Sequence, residues 1–254
     1  MSDFDRNHAA RTTGYGAEQA AAIDAGLRAY MIRIYNYMAA GVALTGVVAW
    51  LTFNAAVQDT GAAGQLALTP FGQTIYGGPL MIVLFLGTLG MVFFLSFRIN
   101  KLQVGTALTL FMIYSGLLGL MLSSIFLTYT GASITRTFFI SAASFGALSL
   151  YGYTTQRDLS PIGSFLIMGL FGLILAMVVN IFLQSSGLDF AISAIGVLIF
   201  AGLTAWDTQK IKEMYSANDD GTVAGRKAVM GALTLYLDFI NLFLFMLRFL
   251  GDRR

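Results

Sequence analysis

Long apolar runs dominate the pattern of the chain. Seven runs rich in Leu, Ile, Phe and Met alternate with polar segments, and each is long enough, at roughly 17–25 residues, to cross a bilayer as a helix. The runs are continuous rather than alternating, which favours helices over the strands of a membrane barrel. The predicted spans are Tyr35–Val57, Pro79–Phe97, Val104–Leu127, Thr137–Tyr153, Ser164–Gln184, Phe190–Thr208 and Val229–Leu250. The pattern therefore predicts an all-α integral membrane protein, a bundle of seven transmembrane helices.

The composition supports this fold class. Of the 254 residues, 57% are apolar and 11% are charged, whereas about 25% of the residues in a soluble domain are charged. So few charges cannot coat a soluble globule, and we expect the lipid bilayer to be the solvent. The scattered basic residues exclude a nucleic-acid-binding face. No cysteine and no phosphate-binding or hydrolase motif is present, so we expect neither an enzyme nor a tightly bound cofactor.

The polar segments predict the domain organisation. Residues 1–27 are polar and lack the apolar core of a signal peptide, so they are predicted to form a flexible N-terminal tail. Residues 28–254 are predicted to form the transmembrane domain. Its connections are short except for Gln58–Gly78, a loop rich in Gly, Ala, Thr and Gln. Short connections indicate one compact bundle.

Lysine and arginine positions predict the orientation. With a cytoplasmic N-terminus, the inner segments hold 11 of these residues and the outer segments hold four, in agreement with the positive-inside rule. Three of the outer four, Arg248, Arg253 and Arg254, lie at the C-terminus. The last helix either crosses the membrane fully or turns back within it. A full crossing is preferred because the apolar run is of full spanning length.

Two aspartates are the main candidates for chemistry, because an ionisable side chain inside a membrane is costly and marks a functional hypothesis. Asp238 lies in the last predicted span and Asp207 lies near the inner end of the sixth. Each belongs to a polar face at helical spacing. We expect these two faces to meet and to bring the two carboxyl groups together. The supporting polar residues on the two faces are Thr204 and Asn241.

Simpler interpretations of the same residues stay open. Asp207 could lie at headgroup level and pair with Lys210, and Asp238 could be hydrogen-bonded only for packing. Asn241 is typical of interhelical hydrogen bonding. Arg98, at the inner end of the second predicted span, could be an interfacial anchor.

Three blocks of sequence resemble a known family. They are LSSIFLTYT (Leu122–Thr130), the block from SLYGYTTQRDLS onward (Ser149–Leu183), and AISAIGVLIFAGLTAWDTQKIKEMY (Ala191–Tyr215) followed by LYLDFINLFLFMLRFLG (Leu235–Gly251). Through them the chain, from about Arg28 onward, resembles the Bax inhibitor family of transmembrane BAX-inhibitor-motif proteins, in its bacterial YccA-like branch. The resemblance implies two layers of three helices around a central seventh helix. It also implies a multi-pass protein of the bacterial inner membrane.

The resemblance further implies a pH-sensitive calcium leak governed by two aspartates, which here are Asp207 in WDTQ and Asp238 in LYLDF. An arginine of the second helix pairs with them in the family, and Arg98 is the candidate here. Two close carboxyl groups in a low dielectric cannot both ionise cheaply, so we expect the pair to share a proton. Once ionised, the pair offers hard oxygen ligands for Ca²⁺ or for a guanidinium. Ca²⁺ and protons are therefore the expected partners.

One departure from the family and two rival functions accompany this hypothesis. The segment Ser216–Lys227 is longer than the shortest members of the family need, and we expect it only to enlarge the inner loop. The main rival is a membrane-embedded regulator that docks membrane proteases or cell-death proteins and moves no ion. An intramembrane aspartyl protease using the same pair is chemically possible, but the sequence blocks do not favour it.

Overall fold

The computed structural model of the chain describes the backbone of residues 3–59 and 66–254, and the side chains of residues 23–58 and 66–254. Most of residues 1–27, which are predicted to form a flexible tail, lie outside the described side chains. Their flexibility stays a prediction. Long helices make up almost all of the described structure. The elements are α1 (Asp3–Ala56), β1 (Val57–Asp59), β2 (Leu66–Leu68), α2 (Pro70–Tyr76), α3 (Leu80–Arg98), a 3-10 turn (Ile99–Lys101), α4 (Val104–Leu122), α5 (Ile125–Thr128), α6 (Gly131–Thr154), α7 (Ser160–Leu183), α8 (Ser186–Glu213) and α9 (Gly221–Leu250).

Six helical segments of the described chain are long and apolar enough to cross a membrane. They are Ile23–Ala56, Leu80–Lys101, Val104–Thr128, Ser160–Leu183, Ser186–Glu213 and Gly221–Leu250. The prediction of an all-α, multi-pass membrane protein is therefore confirmed, and six of the seven predicted spans coincide with these segments. The remaining predicted span, Thr137–Tyr153, lies within α6, a helix of 24 residues that is less apolar than the others.

Small polar residues explain the lower hydropathy of α6. This helix packs against α8 and α9. Five of the seven buried residues of this helix are small, namely Ser133, Thr137, Ser141, Ser149 and Gly152, and the other two are Ile134 and Phe145. The opposite face exposes large apolar side chains such as Phe139 and Leu150. Small residues let neighbouring backbones approach closely inside a membrane bundle, so α6 combines a polar buried face with an apolar outer face.

Helix α9 lies at the centre of the bundle. It packs against α1, α4, α6 and α8, and Leu235, Tyr236 and Leu242 on it are fully buried. The Tyr236 hydroxyl hydrogen-bonds to Thr45 Oγ1 at 2.6 Å, and Thr45 Oγ1 lies 2.9 Å from the carbonyl oxygen of Ser115. These contacts join α9 to α1 and α4. The central position implied by the family resemblance therefore belongs to α9.

The predicted loop Gln58–Gly78 contains ordered elements. Strands β1 and β2 pair antiparallel, with Gln58 opposite Ala67. Helix α2 follows, and the side chain of Thr69 caps it by accepting a hydrogen bond from the backbone N–H of Gly72 at 3.0 Å. Residues 60–65 of the loop lie outside the described part of the chain.

The connection before α9 is shorter than expected. The Asp220 side chain accepts hydrogen bonds from the backbone N–H groups of Thr222 and Val223 at 2.8 and 2.7 Å. An aspartate in this position is a strong helix N-cap, and α9 begins at Gly221. The expectation that Ser216–Lys227 only enlarges the inner loop is wrong, because most of this segment is the start of α9.

The close contact between α6 and α8 is testable with matched glycine substitutions. A Cβ atom at Gly152 would clash with the backbone carbonyl of Ala205 on α8, whereas one at Gly146 of the same helix would meet nothing within 4 Å. We expect Gly152→Ala to lower the thermal unfolding midpoint in detergent, at a cost of about 1–3 kcal/mol. Gly146→Ala should leave the midpoint unchanged or raise it slightly, because Ala favours helix. Equal thermal unfolding midpoints for the two variants would show that α6 and α8 accommodate the added methyl group without loss of stability.

Candidate functional site

The two predicted aspartates meet at the contact between α8 and α9. Asp207 comes from α8 and Asp238 from α9; their carboxyl groups lie close enough to interact directly, and both line the same cavity. Asp238 is 5% exposed, and Asp207 is half-buried. The helical spacing of the polar faces thus predicted which residues come together. Their functional role is a separate question.

The buried carboxyl group of Asp238 lacks a fixed counter-charge. Its Oδ2 atom has no hydrogen-bond partner within the described chain. The ion pairs of the described residues include neither Asp238 nor Asp207. Two carboxyl oxygens can share a hydrogen bond only when one of them carries a proton, so a direct contact between these two groups requires at least one proton on the pair. Loss of that proton would leave negative charge in a buried position, which is costly unless a cation replaces it.

A cavity of about 810 Å³ lies beside the pair. Its walls are mostly apolar and come chiefly from α7, α8 and α9. Its polar lining residues are Ser96, Tyr129, Asp207, Lys210, Thr234, Asp238, Asn241 and Arg248. From Thr234 to Arg248, α9 alone contributes about 21 Å of helix to the cavity. The cavity therefore extends from the aspartate pair towards the far end of the bundle.

Lys210 lies at the same end of the cavity as the aspartate pair. Its ammonium group is 5.0 Å from the ring centroid of Trp206, in the range of a cation–π contact. It forms no ion pair with Asp207 among the described residues. The positive charge of Lys210 nevertheless acts on the Asp207 carboxyl group, so the simpler interpretation, in which Asp207 pairs with Lys210, stays open.

The two predicted supporting residues differ in position. Asn241 lines the cavity, and its Nδ2 donates to the carbonyl of Leu237 at 2.8 Å, so its Oδ1 is the atom available to a ligand. Thr204 is fully buried, donates to the carbonyl of Phe200 at 2.7 Å, and does not line the cavity. The prediction for Thr204 is therefore not supported by its position. It lies about 60° around the helix from Asp207, which is enough to turn its side chain away.

Arg98 does not join the aspartates in this structure. It is the last residue of α3 and is exposed. Its guanidinium forms no ion pair with Asp207 or Asp238 in the described chain. Ser96, two residues earlier, does line the cavity. Arg98 thus lies just beyond the part of α3 that contacts the cavity, and its role as gating partner stays a prediction.

An acidic residue that the sequence analysis did not single out lies next to the opposite end of the cavity, where it pairs with a residue of the cavity wall. Asp189, in the first turn of α8, forms ion pairs with Arg248 and, at 3.5 Å, with Arg253. Arg248 lines both the main cavity and a smaller polar cavity of about 490 Å³. The Asp189–Arg248 pair therefore separates the two cavities. No local sequence signal predicted this contact, because Asp189 and Arg248 are 59 positions apart.

The C-terminal residues lie across this same end. Tyr129 and Arg253 form an antiparallel bridge, with backbone hydrogen bonds from Thr130 to Asp252 at 3.2 Å and from Arg254 to Thr128 at 2.9 Å. The tail is therefore attached to the end of α5. Helix α9 itself is continuous over 30 residues, which does not match the alternative in which the last helix turns back.

Comparisons with known proteins give a consistent result. The family described as inhibitor of apoptosis-promoting Bax1 matches residues 27–254. An uncharacterised protein of Rickettsia prowazekii is 50% identical over 91% of this chain and 92% of its own length. Inner membrane protein YbhL of Escherichia coli is 48% identical over 91% of this chain and 94% of its own length. An uncharacterised membrane protein of Streptococcus pyogenes is 37% identical over 90% and 94% of the two lengths.

The meeting of the two carboxyl groups is testable by cross-linking. The chain has no cysteine, so a variant carrying Asp207→Cys and Asp238→Cys contains only the thiols of interest. We expect these two to form a disulfide under mild oxidation in membranes, detected by mass spectrometry. The matched pair Asp207→Cys and Arg248→Cys should remain reduced, because position 248 lies about 15 Å further along α9. Equal oxidation of both pairs would contradict the geometry.

Proposed function

The chain belongs to the Bax inhibitor family, and from this premise we propose that it is a pH-sensitive calcium leak channel gated by Asp207 and Asp238. One observation carries the proposal. A carboxyl oxygen of Asp238 is buried without a partner in the described chain, next to a second carboxyl group, at the edge of a large cavity. Such a site has to be neutralised by something exchangeable, and a proton and a Ca²⁺ ion are the two candidates.

The protein is a multi-pass membrane protein, and we propose seven crossings with a cytoplasmic N-terminus in a bacterial inner membrane. The length of α6 and its apolar outer face support the proposal that it crosses the membrane, although it is not among the six most apolar segments. The distribution of Lys and Arg supports the orientation. In this orientation the aspartate pair lies towards the cytoplasm and the Asp189–Arg248 pair lies towards the outside.

The cavity supplies the proposed path for Ca²⁺, which is the cargo and not a resident ion. The oxygens along it belong to the carboxyl groups of Asp207 and Asp238, the amide of Asn241 and the hydroxyl groups of Ser96, Tyr129 and Thr234. Ca²⁺ usually takes six to eight oxygen ligands, so these few side chains leave most of its shell to water. Among the described residues, no group of three or more His, Cys, Asp or Glu side chains is placed to hold a metal. Weak coordination of this kind suits passage rather than storage.

Protonation supplies the proposed coupling to pH. While the pair holds a proton, one hydrogen bond joins α8 to α9 at this point. After deprotonation, two like charges face each other in a poorly solvated position and either separate or recruit a cation. Proton and Ca²⁺ thus compete for one site, and the cytoplasmic pH sets which of them occupies it. Arg98 can take part only after a movement of α3, which packs chiefly against α4.

The aspartate pair is tested by Ca²⁺ flux into liposomes that contain only the purified protein. We expect wild-type flux to vary between roughly pH 6 and 8, and we expect Asp207→Asn and Asp238→Asn each to flatten that variation. The double variant should add little to either single one, because the two residues act as a unit. Flux that keeps its full pH dependence in both folded variants would remove the pair as sensor. No flux from the wild type would favour a regulator that moves no ion.

Two control variants accompany this flux experiment. Hydrogen bonds from the hydroxyl and the backbone N–H of Ser160 hold the pKa of the exposed Asp158 carboxyl below its usual range. Asp158 therefore keeps its charge between pH 6 and 8, and Asp158→Asn should leave the pH profile unchanged. Asn241→Ala removes a polar cavity residue that does not titrate, so it should change the amplitude of the flux but retain its pH dependence.

The Asp189–Arg248 ion pair at the outer end of the cavity gives a second functional prediction. The positive charge of Arg248 lies between the two cavities and opposes the passage of cations. We expect Arg248→Gln to raise Ca²⁺ flux at least several-fold while the pH dependence persists. Arg136→Gln is the matched control, because Arg136 pairs with Asp252 in the same region but is 65% exposed. If Arg248→Gln folds and its flux equals that of the control, Arg248 does not close the path.

A further inference from the structure

The surface of the bundle carries a groove of about 540 Å³ between α1 and α6. These two helices hardly touch, because α1 packs against α4 and α9 whereas α6 packs against α8 and α9. A hydrogen bond of 2.6 Å between Tyr35 Oη and Ser149 Oγ bridges the gap. Phe145, which lines the groove, packs edge-on against Phe239 of α9 at 5.6 Å between ring centroids. The groove is thus open outwards and closed behind by α9.

The walls of the groove are apolar and face the lipid. Ile32 on α1 and Leu150 on α6 are 50% and 63% exposed. Gly146 lines the groove between them, and a Cβ atom at this position would meet nothing within 4 Å. Since lipid is the solvent of this surface, an open apolar groove here has the character of an acyl-chain site.

One end of the groove is positively charged. Arg28 lines it there, is exposed, and belongs to none of the ion pairs of the described residues. Tyr153, which also lines the groove, holds a second cation next to it: Lys212 Nζ lies 5.4 Å from the ring centroid of Tyr153 and donates to the Tyr153 carbonyl at 2.8 Å. The acids nearest in sequence, Asp24 and Glu213, form no ion pair with these cations in the described chain. Two cations at the end of an apolar groove match an anionic headgroup on an acyl chain.

We propose that this groove binds an anionic phospholipid. One acyl chain lies between α1 and α6 along Ile32, Gly146 and Leu150, and the phosphate lies at Arg28 and Lys212. Basic pockets between transmembrane helices are typical sites for anionic lipid headgroups. The groove is separate from the aspartate cavity, because none of its lining residues also lines that cavity.

The proposal is tested by native mass spectrometry of the full chain in detergent. The protein is titrated with dioleoyl phosphatidylglycerol and, separately, with dioleoyl phosphatidylcholine, which has the same acyl chains and no net charge. We expect the wild type to retain the anionic lipid in preference. Arg28→Gln should weaken binding of the anionic lipid by about fivefold and leave the zwitterionic lipid unchanged. Arg33→Gln, an exposed arginine of the same helix outside the groove, should change neither.

A second pair of variants tests the position of the acyl chain. Gly146→Leu fills the groove and should reduce binding of both lipids. Gly172→Leu places the same side chain on the exposed surface of α7, where a Cβ atom also meets nothing within 4 Å, and should have no effect. Equal losses for Arg28→Gln and Arg33→Gln would show general surface attraction and overturn the proposal. Unchanged lipid binding by a folded Gly146→Leu variant would do the same.

Discussion

The carboxyl group of Asp238 is the constraint on which the rest of the site depends. It is buried on the most enclosed helix of a lipid-solvated bundle, and its nearest charged neighbour, Asp207, is another acid. An acid in that position has to be neutralised. Asp189, next to the other end of the same cavity, meets this requirement with two arginines. Asp238 has no such cationic partner in the described chain, so a bound proton or a mobile cation is left to neutralise it. This contrast separates a structural acid from one suited to sensing.

The helices around the aspartate pair differ in how closely they are packed, and the loosely packed helices can move at lower cost. Helices α8 and α9 pack closely against each other and against α6, and Ser149 and Thr208 join α6 to α8 through a hydrogen bond of 2.8 Å. Helices α3 and α7, by contrast, expose most of their apolar side chains, and α7 packs chiefly against α8 alone. The carboxyl groups are therefore held on a rigid part of the bundle, whereas the cavity has outer walls that can shift at lower cost.

The sequence predicted the parts of this structure that follow from helical periodicity. Apolar runs located the helices, and the spacing of Asp207 and Asp238 on polar faces predicted that the two would meet. Periodicity failed where a side chain had a local alternative. Thr204 belongs to the polar stripe, but its hydroxyl bonds to its own helix backbone. The Asp189 ion pairs could not be predicted, because they join the start of α8 to the end of α9, 59 residues apart.

The residues that lower the hydropathy of α6 also help to hold the bundle together. Its serines and threonines lower the average, yet they lie on the face that packs against α8 and α9. One of them, Ser149, bonds both to Tyr35 in the proposed lipid groove and to Thr208, the residue after Asp207. Through Ser149, α6 is therefore the physical link between the groove beside α1 and the helix that carries Asp207. A helix with a wholly apolar face could not provide that hydrogen-bonded link.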